Sequence, residues 1–249
     1  CKRVLGYWLT DYHLDGYRFD LSKGFTQNYT LGNVAAWSAY DQSRVNILTD
    51  YYNHIQTTEP GAYVILEHLA DNSEETALSN IGMMLWGKMT TQYEEASMGY
   101  SGDINWGSYQ TRGWSAPRLV SYAESHDEER IMYKNINFGN SNGSYDVQDL
   151  NTGLKRMEMV HTLLLPIPGP KMIWQFGELG YDYSINYCED GTINTNCRTS
   201  PKPVRWDYYS NPNRLHLYKV TAAINTSRPA ISVKANKNST ARMTWSKTF

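Results

Sequence analysis

Apolar positions along the chain follow two rhythms. Short apolar runs mark Gly16–Phe19, Ala62–Leu66, Met83–Trp86, Leu119–Tyr122 and Lys171–Trp174 as strands. Between them apolar residues recur at helical spacing. Val4, Leu5, Trp8, Leu9 and Tyr12 share one face, so residue 1 already lies within an amphipathic helix. Asp41-Gln42-Ser43-Arg44 leads into Val45, Leu48, Tyr52 and Ile55, and Asn72-Ser73-Glu74-Glu75 reads as the cap of the helix that follows. Asp149 to Leu165 sets Leu154, Met157, Val160, His161 and Leu164 on one side, and Asn213 to Ile224 is the last helical pattern. Strands apolar on both faces that alternate with helices imply a parallel sheet covered by helices.

The ends of the chain read as cuts, which makes the sequence an internal fragment of a longer protein. Residues 1–228 form one unit, and 229–249 begin a second, all-β one. There Ala230-Ile231-Ser232-Val233-Lys234-Ala235 alternates as a strand and a second short strand runs through Trp245.

What stops the strands carries the chemistry. Gly16-Tyr17-Arg18-Phe19 runs into Asp20, Ala62 to Leu66 runs into Glu67, and the Leu119 strand runs through Glu124 to His126-Asp127. The Lys171 strand runs toward Glu178. A TIM barrel spends about 30 residues on each strand and helix and gathers its chemistry at the C-terminal strand ends. The fold expected is therefore α/β, a (β/α)8 TIM barrel of which about strands 4–8 are present. An open doubly wound sheet is the competitor, but no glycine-rich phosphate loop follows any strand.

Composition narrows the partners. Hydrophobic residues make up 41% of the 249, ample for a core, and a net charge of -2 without a basic run argues against nucleic acid or an acidic membrane surface. No segment approaches the ~18 apolar residues of a membrane span. Tyr 20 and Trp 8 against Phe 5 favour flat rings with a polar handle, which suit stacking on sugars. Cys188 and Cys197 bracket a polar turn that a disulfide could close, which would fit an oxidising compartment.

Carboxylates converging on one rim repel, so one is pushed toward the protonated form while a nearby cation keeps another ionised. Arg18, two residues before Asp20, points the same way on a strand and can hold it anionic. An ionised carboxylate beside a protonated one is what a retaining glycosidase needs. Metal-assisted hydrolysis would use such carboxylates too, yet there is no HExxH, no CxxC and no clustered histidine spacing.

The segments Gly16-Tyr17-Arg18-Phe19-Asp20-Leu21-Ser22-Lys23, Val64-Ile65-Leu66-Glu67-His68 and Glu124-Ser125-His126-Asp127 occur in that order. Together they resemble the second, third and fourth signature regions of the α-amylase family, glycoside hydrolase family 13. Gly169 to Glu178 resembles its eighth strand, and Pro201-Lys202-Pro203-Val204-Arg205-Trp206-Asp207 its long loop before the last barrel helix. The resemblance implies Asp20 as nucleophile, Glu67 as general acid/base and Asp127 as the carboxylate that grips sugar hydroxyls. It further implies that Arg18 orients Asp20, that His126 bonds the sugar, and that Lys23 and His68 meet the leaving-group side.

The resemblance therefore implies a secreted, periplasmic or cell-surface enzyme that cleaves α-1,4-glucosidic bonds of starch-like glucans through a covalent intermediate. The partner would be an α-glucan oligo- or polysaccharide. A 4-α-glucanotransferase or α-glucosidase on the same site, or a non-catalytic glucan-binding fragment, are the alternatives. No cofactor and no metal ligand are assigned within this chain; calcium would be held through the first signature region, which would precede residue 1. Gly24 stands where the family often has His. Tyr63 and Trp174 read as core packing, and Glu124, Glu128 and Glu129 as loop charges.

Overall fold

The computed structural model describes residues 1–227, so the expected second unit at 229–249 and its strands lie outside the described residues. The strands are β1 (Gly16–Phe19), β2 (Tyr63–Leu66), β3 (Met84–Lys88), β4 (Leu119–Tyr122), a two-residue hairpin pair β5 (Ser141–Asn142) and β6 (Tyr145–Asp146), and β7 (Lys171–Met172). The helices are α1 (Lys2–Tyr12), α2 (Val34–Ser38), α3 (Gln42–Thr58), α4 (Asn72–Ile81), α5 (Thr90–Met98), α6 (Ile131–Phe138), α7 (Leu150–Leu164) and α8 (Pro212–Ser227).

β1, β2, β3, β4 and β7 pair in that order, and every pair is parallel. The result is a curled five-stranded half-barrel. Its two faces follow from strand parity. Val64, Leu66, Leu85 and Leu119 point outward into a core shared with Leu48 and Ile55 of α3, Leu78 of α4 and Leu9 of α1. Ile65, Met84, Trp86, Val120 and Tyr122 form a separate inner cluster. Both faces being dry is why these strands read as unbroken apolar runs rather than alternating ones. A third cluster joins Tyr93 of α5, Ile131 and Met132 of α6, Leu154 and Met157 of α7, and Leu217 of α8.

Acidic caps set where several helices begin. Asp41 accepts from Ser43 N at 2.9 Å, and Asp149 accepts from Asn151 N and Thr152 N, both at 3.0 Å. For α4 the cap is Asp71, which accepts from Ser73 N at 2.8 Å, so Asn72 is the first helical residue rather than part of a cap. The last sheet strand is shorter than its apolar run: pairing stops at Met172, and the chain then turns, with Gly177 N donating to Trp174 O at 2.8 Å. At the start of β1, Gly16 has φ 155°, and a Cβ there would lie 2.2 Å from Tyr63 O. Only glycine lets the two strands pair this closely. Among the described residues no helix is long and apolar enough to cross a membrane.

Candidate active site

The parity that sends Ile65 inward also sends Arg18, Asp20 and Glu67 to the inner face at the C-terminal ends of β1 and β2. Phe19 stands opposite Leu66, so the two carboxylates leave adjacent strands at the same level. Arg18 bridges them, with Nη1 donating to Asp20 Oδ1 at 2.5 Å and Nη2 to Glu67 Oε2 at 2.6 Å. Its guanidinium lies over the Trp86 ring at 4.2 Å. Planar stacking and two charge-assisted bonds fix the cation.

The same cation meets two different environments. Asp20 is largely open, and the hydrogen bond and charge of Arg18 hold its carboxyl below the ordinary carboxylate value. Glu67 is buried, and that desolvation pushes it above the ordinary value despite the Leu21 N–H and Arg18. The two carboxyls also act on each other in opposite senses, lowering Asp20 and raising Glu67. Leu21 donates that N–H to Glu67 Oε2 at 3.1 Å from a left-handed backbone, φ 40°. Leu69 (φ 53°) after β2 and Phe176 (φ 59°) after β7 are left-handed as well. Non-glycine residues in that region cost on the order of 1 kcal/mol each and collect where a site needs a backbone group aimed.

Beneath the pair lies a dry polar network whose members the strand-end pattern does not reveal. Arg44 and Glu74 are fully buried and joined through Nε–Oε1 at 2.6 Å and Nη2–Oε2 at 2.7 Å. Arg44 also donates to the carbonyls of Lys23, Trp37 and Ala39. Burial pushes Glu74 up, but bonds from His68, Arg44 and Asp41 N outweigh it and hold the carboxyl below its ordinary value. His68 belongs to this network. Its ring has no exposed surface, with Nε2 2.7 Å from Glu74 Oε1 and Nδ1 2.9 Å from Ser22 Oγ. Burial pushes its pKa down, so the ring is neutral near pH 7.

His68, expected on the leaving-group side, is thus a sealed ring with both nitrogens engaged by Ser22 and Glu74. Lys23 is buried too, with Nζ 3.2 Å from both Ser38 Oγ and Leu69 O and 4.6 Å from the Trp37 ring centre. It ties the loops after β1 and β2 together.

Asp127 occupies the other side of the rim, on the loop beyond β4. Its carboxylate lies 3.3 Å from Arg198 Nη2 and 3.4 Å from His126 Nε2, and Arg198 also donates to its backbone carbonyl. His126 sits between Trp86 and Trp174, with ring centroids 6.1 and 5.6 Å away. The chain of contacts from Asp20 through Arg18, Trp86 and His126 to Asp127 thus spans the mouth of the half-barrel. Asp127 does not join the bridged pair directly; it faces Arg198 and His126. Trp174 is half-buried beside His126 at this mouth rather than inside the inner cluster.

The residues read as loop charges are structural anchors. Glu124 is 4% exposed and accepts from Ile131 N at 2.8 Å, opening α6, while burial raises its pKa next to Arg130. Glu128 pairs with Lys88 at 2.8 Å, and Glu129 accepts from Ser184 Oγ at 2.6 Å and Ile185 N at 2.7 Å. Arg198, which follows directly on Cys197, is the functional candidate the sequence reading missed. Cys188 and Cys197 form a disulfide with Cα atoms 5.2 Å apart, which closes the loop that carries it. The available signal was an arginine next to a cysteine. Among the described residues no group of three or more His, Cys, Asp or Glu is placed to hold a metal ion, so calcium enters no step proposed below.

No protein-family model matches the sequence, and no curated protein matches it. Among solved structures the fold is similar to that of a type I pullulanase from Bacillus subtilis strain 168, determined in complex with maltose. The TM-score is 0.53 at 16% identity, over 90% of this chain. The chain spans 32% of that pullulanase's length. At this identity the likeness is one of fold. That fold is the curled, all-parallel half-barrel described above.

Proposed function

We propose that this protein is a retaining glycoside hydrolase of the α-amylase type that cleaves α-1,4-glucosidic bonds of starch-like glucans. What carries the reading is the opposed shift of two carboxyls on one arginine: Asp20 pushed below the ordinary carboxylate value, Glu67 pushed above it. This is the division of labour between nucleophile and general acid. The Asp20 carboxylate attacks the anomeric carbon while Glu67 gives its proton to the departing glycosidic oxygen, forming a glycosyl ester on Asp20. Glu67, now a carboxylate, takes a proton from water as that water displaces Asp20, and the configuration is retained. Asp127 and His126 hold ring hydroxyls, with Arg198 keeping Asp127 in place. Trp174, half-buried at the mouth, flanks the sugar as an apolar wall, while Trp86 supports Arg18 from beneath. The disulfide is compatible with a secreted, periplasmic or cell-surface protein.

The test is to trap the ester. A 2-fluoro maltosyl fluoride should leave a glycosyl mass on the tryptic peptide containing Asp20, and Asp20→Asn should abolish it. Label on a different residue, or a product of inverted configuration, would refute the assignment.

A further inference from the structure

Three Asn-x-Ser/Thr triplets fall among the described residues: Asn28-Tyr29-Thr30, Asn142-Gly143-Ser144 and Asn225-Thr226-Ser227. Such a triplet is the acceptor for N-linked glycosylation, but it also recurs by chance. The fold treats the three differently.

Asn142 is the last residue of β5, and Gly143-Ser144 is the two-residue turn into β6. Gly143 has φ 63°, the left-handed value such a hairpin turn uses, and a Cβ built on it meets nothing within 4 Å. Ser141 through Tyr145 are exposed without interruption. The base of the hairpin is firm, because Val147 is buried and Asn140 N donates to Met98 O at 2.8 Å. The triplet is thus a projecting tip on a fixed stem, the kind of place that tolerates added mass.

Asn28 sits on the loop between β1 and α2. Its N–H donates to Thr26 Oγ1 at 3.1 Å, which pins the backbone while Gln27, Asn28 and Tyr29 stay exposed. The same loop carries Leu31, 81% exposed, and the exposed Val34 begins α2. Apolar groups left in water beside the acceptor are a liability that a bulky hydrophilic glycan would cover.

Asn225 differs. It is half-buried in the last turn of α8, with all three residues of its triplet helical. A helix turns about 100° per residue, so Asn225 and Ser227 project from opposite sides. A transferase that must grip both the asparagine amide and the hydroxyl two residues on finds them together in an open turn, not on a helix.

The compartment is the second requirement. The Cys188–Cys197 disulfide fits a chain that folds where thiols oxidise, as in the lumen of the secretory pathway.

We propose that Asn28 and Asn142 carry N-linked oligosaccharides and that Asn225 does not. The donor is an oligosaccharide carried on a lipid pyrophosphate. The asparagine Nδ2 bonds to C1 of its first sugar as the C1–O bond to the pyrophosphate breaks. The amide gives up one proton, and the lipid pyrophosphate leaves. This assignment does not rest on the reading of Asp20 and Glu67.

The test uses the full chain purified from the cells that make it. Peptide-N-glycosidase in ¹⁸O water converts each occupied asparagine to a heavy-oxygen aspartate, which tryptic mass spectrometry then locates. A parallel incubation in the same water without the glycosidase corrects for spontaneous deamidation at Asn142-Gly143. The peptides containing Asn28 and Asn142 should carry the mark, and the peptide containing Asn225 should not. Thr30→Ala and Ser144→Ala, made in the same cells, should each remove one glycan from the intact mass and erase only the mark of its own peptide. A loop peptide that never carries the mark, or a mark on Asn225, overturns the proposal.

Discussion

The two sides of the rim are made in different ways. Asp20 and Glu67 end adjacent strands paired without a break from Gly16–Tyr63 to Phe19–Leu66, and the buried Arg44–Glu74–His68 network lies directly below. Asp127 stands on a loop, 47% exposed, and is held by an arginine that is itself 48% exposed. On the first side the sheet buries Glu67 and leaves the Asp20 side chain 77% exposed beside it. The second is set by loop contacts, and both partners of its ion pair stay open. The difference suits the two tasks: proton placement needs a fixed, desolvated geometry, whereas gripping hydroxyls needs a group that substrate can reach.

The largest expected effect is chemical. Glu67→Gln should lower kcat/KM on maltoheptaose by about 10²–10⁴-fold, and much less on an aryl maltoside whose leaving group needs no proton. An equal loss on both substrates would show that Glu67 is not the acid.

Next in size is the support. Arg44→Met leaves Glu74 buried without its counter-charge, held only by His68 and Asp41 N, which should cost about 3–5 kcal/mol of stability in urea unfolding. A loss under about 1 kcal/mol would mean that the network below the pair is no firmer than the surface contacts opposite.

A third change moves the working pH. Arg18 lowers Asp20 and also lowers Glu67, so Arg18→Gln raises both. Activity needs Asp20 ionised and Glu67 protonated. Its acid limb therefore moves up with Asp20 and its alkaline limb moves up with Glu67. The pH profile of kcat/KM measures this; limbs that stay in place would show that Arg18 does not set the split.

The smallest effect belongs to the second side. Lys88 is 44% exposed in its pair with Glu128, and Lys88→Ala should change stability by less than about 1 kcal/mol in the same unfolding assay.

Much of this architecture is local. Short apolar runs locate the strands of the sheet, and helical periods locate α1, α3, α7 and α8, because backbone geometry sets which side chains share a face. The same parity puts Arg18 with Asp20. The helices α5 and α6 are less legible: α5 opens on a residue that makes no side-chain cap, and α6 is capped by Glu124 from seven positions upstream.

Chain order alone thus specified alternating strands and helices with acids at the strand ends, since those depend on residues a few positions apart. Only the folded chain decided which polar groups are sealed and which are open. His68 and Lys23 look like site residues next to Glu67 and Ser22, yet they close inward because Glu74 and Trp37 arrive from other turns of the chain. Arg198 reaches Asp127 from 71 positions away. Burial is a property of what packs over a residue, and that is settled in three dimensions.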